Sequence, residues 1–177
     1  LSDLKLNSNI RDVINWLNDS EILIKVIPEN KKELIDQSGI VPLGPTISSN
    51  DGENAQNRTY QDLLKNKTDE FNFEQLVTSD IYKVNLDGKT SKWLNSDMYT
   101  DVTPSPDGEF VMVSNIKKPF SYIVTYGRFP KSTNIYDNEG MLISNLVNVP
   151  LIEELPQGFN AVWNGKRNFS WRMDKPS

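Results

Sequence analysis

The stretch "SPDGEFVMVSNI", residues 105–116, joins a tight turn to a strand and decides the class of fold. Asp and Gly are turn residues, because Gly tolerates positive φ and the Asp side chain bonds to nearby backbone amides. The apolar run that follows is typical of a strand with a buried face. Residues 17–24, "LNDSEILI", repeat the order of strand, turn and apolar strand. Residues 164–171, "NGKRNFSW", form a weaker third copy.

A second kind of hairpin also repeats, as "YKVNLDGKTSKWL" and "NIYDNEGMLISNL". Two alternating hairpins are typical of stacked propeller blades, each of about 40 to 45 residues. We therefore predict a mainly β fold, a partial β-propeller of about two to three blades of antiparallel strands that spans residues 1–177. The four tryptophans are expected to pack between blades. The predicted strands cover residues 12–16, 21–27, 81–86, 91–95, 109–116, 133–137 and 141–147.

Residues 42–80 interrupt the strand pattern and are predicted to be a loop and helix insertion between blades. Within "NRTYQDLLKNKTDE", residues 57–70, the spacing of Thr59 and Asp62 predicts a capped helix from about Thr59 to Lys65. A second short helix would begin at Thr68, which places the helical insertion at about 57–77. Acidic residues outnumber basic ones in this segment, so a DNA-reading helix pair is disfavoured.

The composition excludes several kinds of function. The chain has 19 basic and 24 acidic residues and a formal net charge of -5, which argues against nucleic-acid binding. It contains no His and no Cys, so it cannot assemble a Ser-His-Asp or Cys-His site or a cysteine- or histidine-ligated zinc site. No apolar run is long enough for a membrane span. We expect neither a metal nor a cofactor.

Two groups of charged residues are candidates for chemistry. Glu153 and Glu154 are adjacent and could do acid and base work, although a solvated acidic turn explains them more simply. Four arginines, Arg58, Arg128, Arg167 and Arg172, lie among aromatic or turn residues. A planar guanidinium is a natural receptor for a carboxylate, and salt bridges or aromatic stacking are the structural alternative.

The strings "RTYQDLLKN", "PFSY", "RFP" and "FSWRMDKP" together resemble the N-terminal β-propeller region of prolyl oligopeptidase family serine peptidases. The glutamyl endopeptidase branch, known from bacteria and plastids, is the most similar. The resemblance covers nearly the whole chain. It implies a C-terminal α/β-hydrolase domain with the catalytic triad on a G-x-S-x-G elbow. This sequence lacks that motif and has no His, so we expect a fragment without catalytic residues from a serine-type peptidase.

The resemblance also implies a role and partners. The propeller would gate access to the active site and help select peptide substrates, with Arg58, Arg128 and Arg167 as candidates for binding an acidic side chain beside the scissile bond. The hydrolase domain of the same parent would be a partner, and a bacterial parent would favour the periplasm or secretion. Exposed blade edges are expected to promote oligomers.

Two alternatives remain open at this stage. One is a propeller-like module that binds a partner protein or a glycan, unrelated to proteolysis. The other is a stand-alone carboxylate enzyme that uses Glu153 or Glu154.

Overall fold

A computed structural model describes residues 4–36, 60–154 and 162–174, and in these ranges the chain forms two four-stranded antiparallel sheets and one α-helix. The first sheet contains β1 (Ile14–Trp16), β2 (Glu21–Val26), β3 (Ser79–Asn85) and β4 (Thr90–Asp97). The second contains β5 (Tyr99–Pro104), β6 (Phe110–Ile116), β7 (Lys131–Asp137) and β8 (Leu142–Val149). The strands adjoin in chain order in both sheets. The mainly β prediction is confirmed, and each of the seven strand ranges predicted between residues 12 and 147 overlaps an observed strand.

The two sheets pack face to face through their inner sides. Because successive strand residues point to opposite faces, alternate residues of each strand enter this interface. Leu23, Ile81 and Trp93 of the first sheet join one buried cluster with Val111 and Val113 of the second. Trp93 thus packs between the sheets as the sequence predicted. The prediction was wrong for Trp16, which is 62% exposed because its edge strand β1 points it away from the interface.

Two turn glycines bring the second sheet close to the first. Gly108, in the "SPDG" turn, has a φ of +72°, and a Cβ added there would lie 2.6 Å from the carbonyl oxygen of Leu17. Gly140, in the "NEG" turn, has a φ of +86°, and its added Cβ would lie 2.6 Å from the carbonyl oxygen of Trp93. Glycine is therefore required at both turns for conformation and for close approach.

A lysine is buried between the sheets. Lys25 is 2% exposed, and its Nζ donates hydrogen bonds to the carbonyl oxygens of Arg11 at 2.6 Å and Thr100 at 2.9 Å. Burial lowers the pKa of Lys25 from 10.5 to about 8, against the opposing effect of the Asp12 and Asp101 carboxylates. The ammonium thus links the segment before β1 to β5.

The helix differs from the predicted insertion. The helix α1 (Lys67–Val77) contains the predicted second helix, but it begins one residue before Thr68, and the Asn66 side chain caps it by accepting from the amide of Asp69 at 2.9 Å. The predicted first helix is wrong where the structure describes it, because residues 60–65 are not helical. Asp62 has a φ of +57°, a left-handed conformation that an α-helix cannot continue. Thr59, its proposed cap, lies outside the described residues.

The helix braces the long connection between β6 and β7, residues 117–130. Phe73 makes edge-to-face contacts with Phe120 and Phe129, with ring centroids 5.2 and 5.7 Å apart. At the C-terminal end of the helix, the Nδ2 of Asn7 donates to the carbonyl oxygens of Leu76 and Thr78 at 2.9 and 3.0 Å. These bonds satisfy carbonyl groups that a helix end leaves without partners.

Residues 162–174 form no strand, so the predicted third hairpin at 164–171 is wrong. A hairpin needs further strands or a packing surface to be stable, and this segment pairs with no strand of either sheet. It lies instead against the outer face of the second sheet. The indole Nε1 of Trp171 donates to the carbonyl oxygen of Thr103 on the edge strand β5 at 2.8 Å.

Candidate functional site: a cationic cleft

The outer face of the second sheet forms the floor of a cleft of about 640 Å³. The strand register aligns Asp101, Ser114, Thr133 and Val147 in one row across all four strands. The hydroxyl groups of Ser114 and Thr133 lie 2.9 Å apart and share a hydrogen bond. A row across four strands is about 14 Å long, because neighbouring strands are about 4.8 Å apart. The floor is therefore long enough for about four residues of extended peptide.

Arg128 occupies one end of the cleft. It lies in the 3-10 turn Tyr126–Arg128, and two backbone hydrogen bonds hold it there. The amide of Arg128 donates to the carbonyl of Thr125, and the carbonyl of Arg128 accepts from the amide of Ile152. Its guanidinium carbon lies 5.3 Å from the centre of the Tyr60 ring.

The Nη1 of Arg128 is buried, and no described residue accepts a hydrogen bond from it. Leaving a buried donor without a partner costs free energy, so such a group marks a place where an acceptor would bind favourably. The hydroxyl of Tyr60 is likewise buried without a described partner. Arg128 lines this end of the cleft, and a guanidinium is a natural receptor for a carboxylate.

Residues 162–174 form the opposite wall of the cleft. Arg167 lies on this wall, and its Nη1 donates to the carbonyl oxygen of Trp163 at 2.8 Å within the same segment. Lys166 lies beside it, and both side chains are exposed. Two of the three arginines that the resemblance suggested as substrate contacts therefore line one cleft. The third, Arg58, lies outside the described residues.

The residues that line the cleft carry an excess of positive charge. Four cations line it, and Asp101 is the single carboxylate among its lining residues. The cations are Arg128, Lys131, Lys166 and Arg167. None of them forms an ion pair within the described ranges. This cationic surface contrasts with the net charge of -5 of the whole chain.

Sequence reasoning missed Lys131 and Lys166, which line the cleft, and Tyr60, which contacts Arg128 but does not line it. The alternation in "KSTNIYD" does place Lys131 and Thr133 on one face of β7, so that contribution was readable once the strand was assigned. The contact of Tyr60 with Arg128 joins residues far apart in the sequence, and no local pattern predicts it.

The acidic pair of the carboxylate-enzyme alternative does not line the cleft. Glu153 accepts a hydrogen bond from the Ser121 hydroxyl at 2.7 Å and so attaches the chain after β8 to the connection before β7. Glu154 is exposed. The structure contains no group of three or more acidic residues placed to hold a metal ion within residues 4–36, 60–154 and 162–174. No helix in the same ranges is long and apolar enough to cross a membrane.

Comparison with known proteins gives two related matches. The chain is 39% identical over 176 residues to a rice protein (Oryza sativa subsp. japonica) named probable glutamyl endopeptidase, chloroplastic. It is 35% identical over 176 residues to an Arabidopsis thaliana protein of the same name. Each match covers 99% of this chain but only 19% and 18% of the relative, so the chain spans about a fifth of their length.

The chain is therefore similar, over nearly its whole length, to one part of two plant proteins named as peptidases. No protein-family model matches it, and no solved structure matches it. The relatives are plant proteins, so a bacterial parent remains a prediction.

Proposed function

We propose that this chain is a non-catalytic β-propeller segment of a serine peptidase of the prolyl oligopeptidase family, in the glutamyl endopeptidase-like branch. In the parent protein it gates access to the active site and helps select peptides that carry an acidic residue beside the scissile bond. The observation that carries the proposal is the cationic cleft, which is lined by Arg128, Lys131, Lys166 and Arg167. The names of the two plant relatives support the peptidase class.

The cleft supports substrate selection for a physical reason. A glutamate side chain is an acceptor-only carboxylate, and a guanidinium can donate two parallel hydrogen bonds to it. The Tyr60 ring contacts the Arg128 guanidinium, and a side chain that is already restricted loses less entropy on binding. We assign Arg128 as the principal carboxylate receptor and Arg167 as the second contact, while Arg58 remains a candidate.

The propeller assignment rests on the relation between the sheets. Each sheet has four antiparallel strands in chain order, and the two pack face to face, which is how neighbouring blades are built. The first sheet has a second, partly apolar face on which Ile14 and Trp16 are exposed. We propose that another sheet of the parent polypeptide covers this face, because the relatives are about five times longer than this chain.

A kinetic experiment on the parent enzyme tests the function. Arg128→Gln should lower kcat/KM for a peptide with Glu before the cleaved bond by about 10- to 100-fold, the range expected for a lost charge-assisted hydrogen bond. The same variant should leave kcat/KM for the matching Gln peptide unchanged. Arg128→Lys should give an intermediate loss, because it keeps the charge without the planar fork.

Arg172→Gln is the matched control. Arg172 is exposed, pairs with Asp174 and does not line the cleft, so its replacement should leave both substrates unaffected. An equal loss on the Glu and Gln peptides in Arg128→Gln would contradict acidic selection by Arg128. The 177-residue chain alone should hydrolyse no peptide, and turnover blocked by serine-directed inhibitors would contradict the non-catalytic assignment.

A further inference from the structure

The cleft carries more positive charge than one glutamate side chain needs. Four cations and one carboxylate line it, which leaves an excess of three positive charges. A single bound carboxylate would neutralise one of them. The remaining cations would still face the ligand in a partly enclosed cleft, where their attraction is stronger than in open water.

The cations are divided between two walls. Arg128 and Lys131 belong to the second sheet and its 3-10 turn, and backbone hydrogen bonds hold both positions. Lys166 and Arg167 belong to residues 162–174, which contact the sheet through the Trp171 bond to Thr103 and pair with no strand. A ligand that fills the cleft would therefore contact both pairs of cations.

The geometry points to a ligand with two carboxylates. We propose that the cleft prefers peptides with a second carboxylate close to the first, bound by Lys166 and Arg167 while Arg128 and Lys131 bind the first. This inference rests on the proposed function. In an extended peptide, side chains two residues apart are about 7 Å apart on the same side. A second acidic residue at that spacing, or a free C-terminal carboxylate beside an acidic side chain, supplies the chemistry.

Binding of short peptides to the 177-residue chain tests this preference. The first three probes are tetrapeptides with blocked ends that carry Glu at the second and fourth positions, Glu at the second and Gln at the fourth, or Gln at both. A fourth has Gln at the second position, Glu at the fourth and a free C-terminus. Affinities are measured by isothermal titration calorimetry at low salt. The two peptides with two carboxylates should bind about five- to tenfold more tightly than the peptide with one.

Variants in residues 162–174, the opposite wall of the cleft, separate this inference from the proposed function. Arg167→Gln, an exposed position, should remove most of the advantage of the second carboxylate while binding of the single-Glu peptide persists through Arg128. Arg172→Gln should change neither affinity. Equal affinity for one and two carboxylates, or an advantage unchanged in Arg167→Gln, would overturn the inference and leave acidic selection intact. If no Glu peptide binds better than the Gln peptide, acidic selection by this cleft fails as well.

Discussion

The two sheets have the same strand order and share one interface, but their outer faces differ. On the first sheet, the register places Trp16 beside Ile22 and Ile14 beside the buried Ile24, so that the large apolar side chains of Ile14 and Trp16 are exposed on this face. On the second, the corresponding face has the hydroxyl groups of Ser114 and Thr133 on its floor, four cations around it and residues 162–174 across it.

The alternation of side chains along a strand sets its two surfaces independently. The inner residues of both sheets are selected for one close-packed interface, whereas the outer residues are free to suit what each sheet faces. An apolar outer face suits another sheet, and a polar, cationic one suits an anionic ligand. Substitutions can therefore break the shared interface, the apolar face or the cleft separately.

The largest effect is expected at the shared interface. Gly108→Ala should lower the free energy of unfolding by about 3 to 5 kcal/mol, because the added Cβ meets both a positive φ and the Leu17 carbonyl. Gly88→Ala is the matched control, since Gly88 has a φ of +79° but no atom within 4 Å of its added Cβ. It should cost only about 1 to 2 kcal/mol. Urea unfolding measures the free energy of unfolding of both variants. An equal loss in the two would mean that the contact with the Leu17 carbonyl contributes nothing.

A second effect at this interface depends on pH. Because the folded pKa of Lys25 is about 8 and its ordinary value is 10.5, the unfolded chain binds more protons between these pH values. The Lys25 contribution to the free energy of unfolding should therefore rise from pH 8 to 10.5, by at most about 3 kcal/mol. Urea unfolding across this range measures the rise as the difference between wild type and Lys25→Met.

Lys89→Met, at an exposed turn, is the control for this experiment and should keep the wild-type pH dependence. If Lys25→Met also follows the wild-type curve, the buried ammonium is not the group that titrates.

A smaller effect is expected on the outer face of the first sheet. In the 177-residue chain alone, a second copy is the surface available to cover this apolar face, so the chain should self-associate. Trp16→Thr should weaken self-association, as measured by sedimentation velocity, and change the free energy of unfolding by only about 0.5 kcal/mol. Met141→Thr, at a 65% exposed turn position off this face, should leave association unchanged. An equal change in both variants would mean that the apolar face is not the contact.

The sequence supported the fold more fully than the site because strands and turns leave local patterns. Period-two alternation and the turns around Gly108 and Gly140 predicted both hairpin types. The sequence did not predict the strand β5, because "YTDVTP" mixes polar and apolar residues without a strong apolar run. The helix predicted over residues 59–65 failed where described because Asp62 adopts a left-handed conformation, which the capping pattern did not reveal.

The candidate site depended on contacts between distant parts of the chain. Arg128 and Arg167 were identified by residue type, but their presence in one cleft follows from where residues 162–174 lie on the second sheet. The contribution of Tyr60 required the packing of the segment before α1 against the connection after β6. No periodic pattern in the sequence predicts these contacts between distant residues.

Nuclear magnetic resonance locates the peptide-binding surface of the chain. The peptide with Glu at its second and fourth positions is titrated into the isotope-labelled 177-residue chain, and backbone amide shifts are recorded. We predict shifts at Asp101, Ser114 and Thr133 on the outer face of the second sheet and none at Ile22 or Tyr82 on that of the first. Shifts confined to the first sheet, or equal shifts with the peptide that has Gln at both positions, would contradict the account.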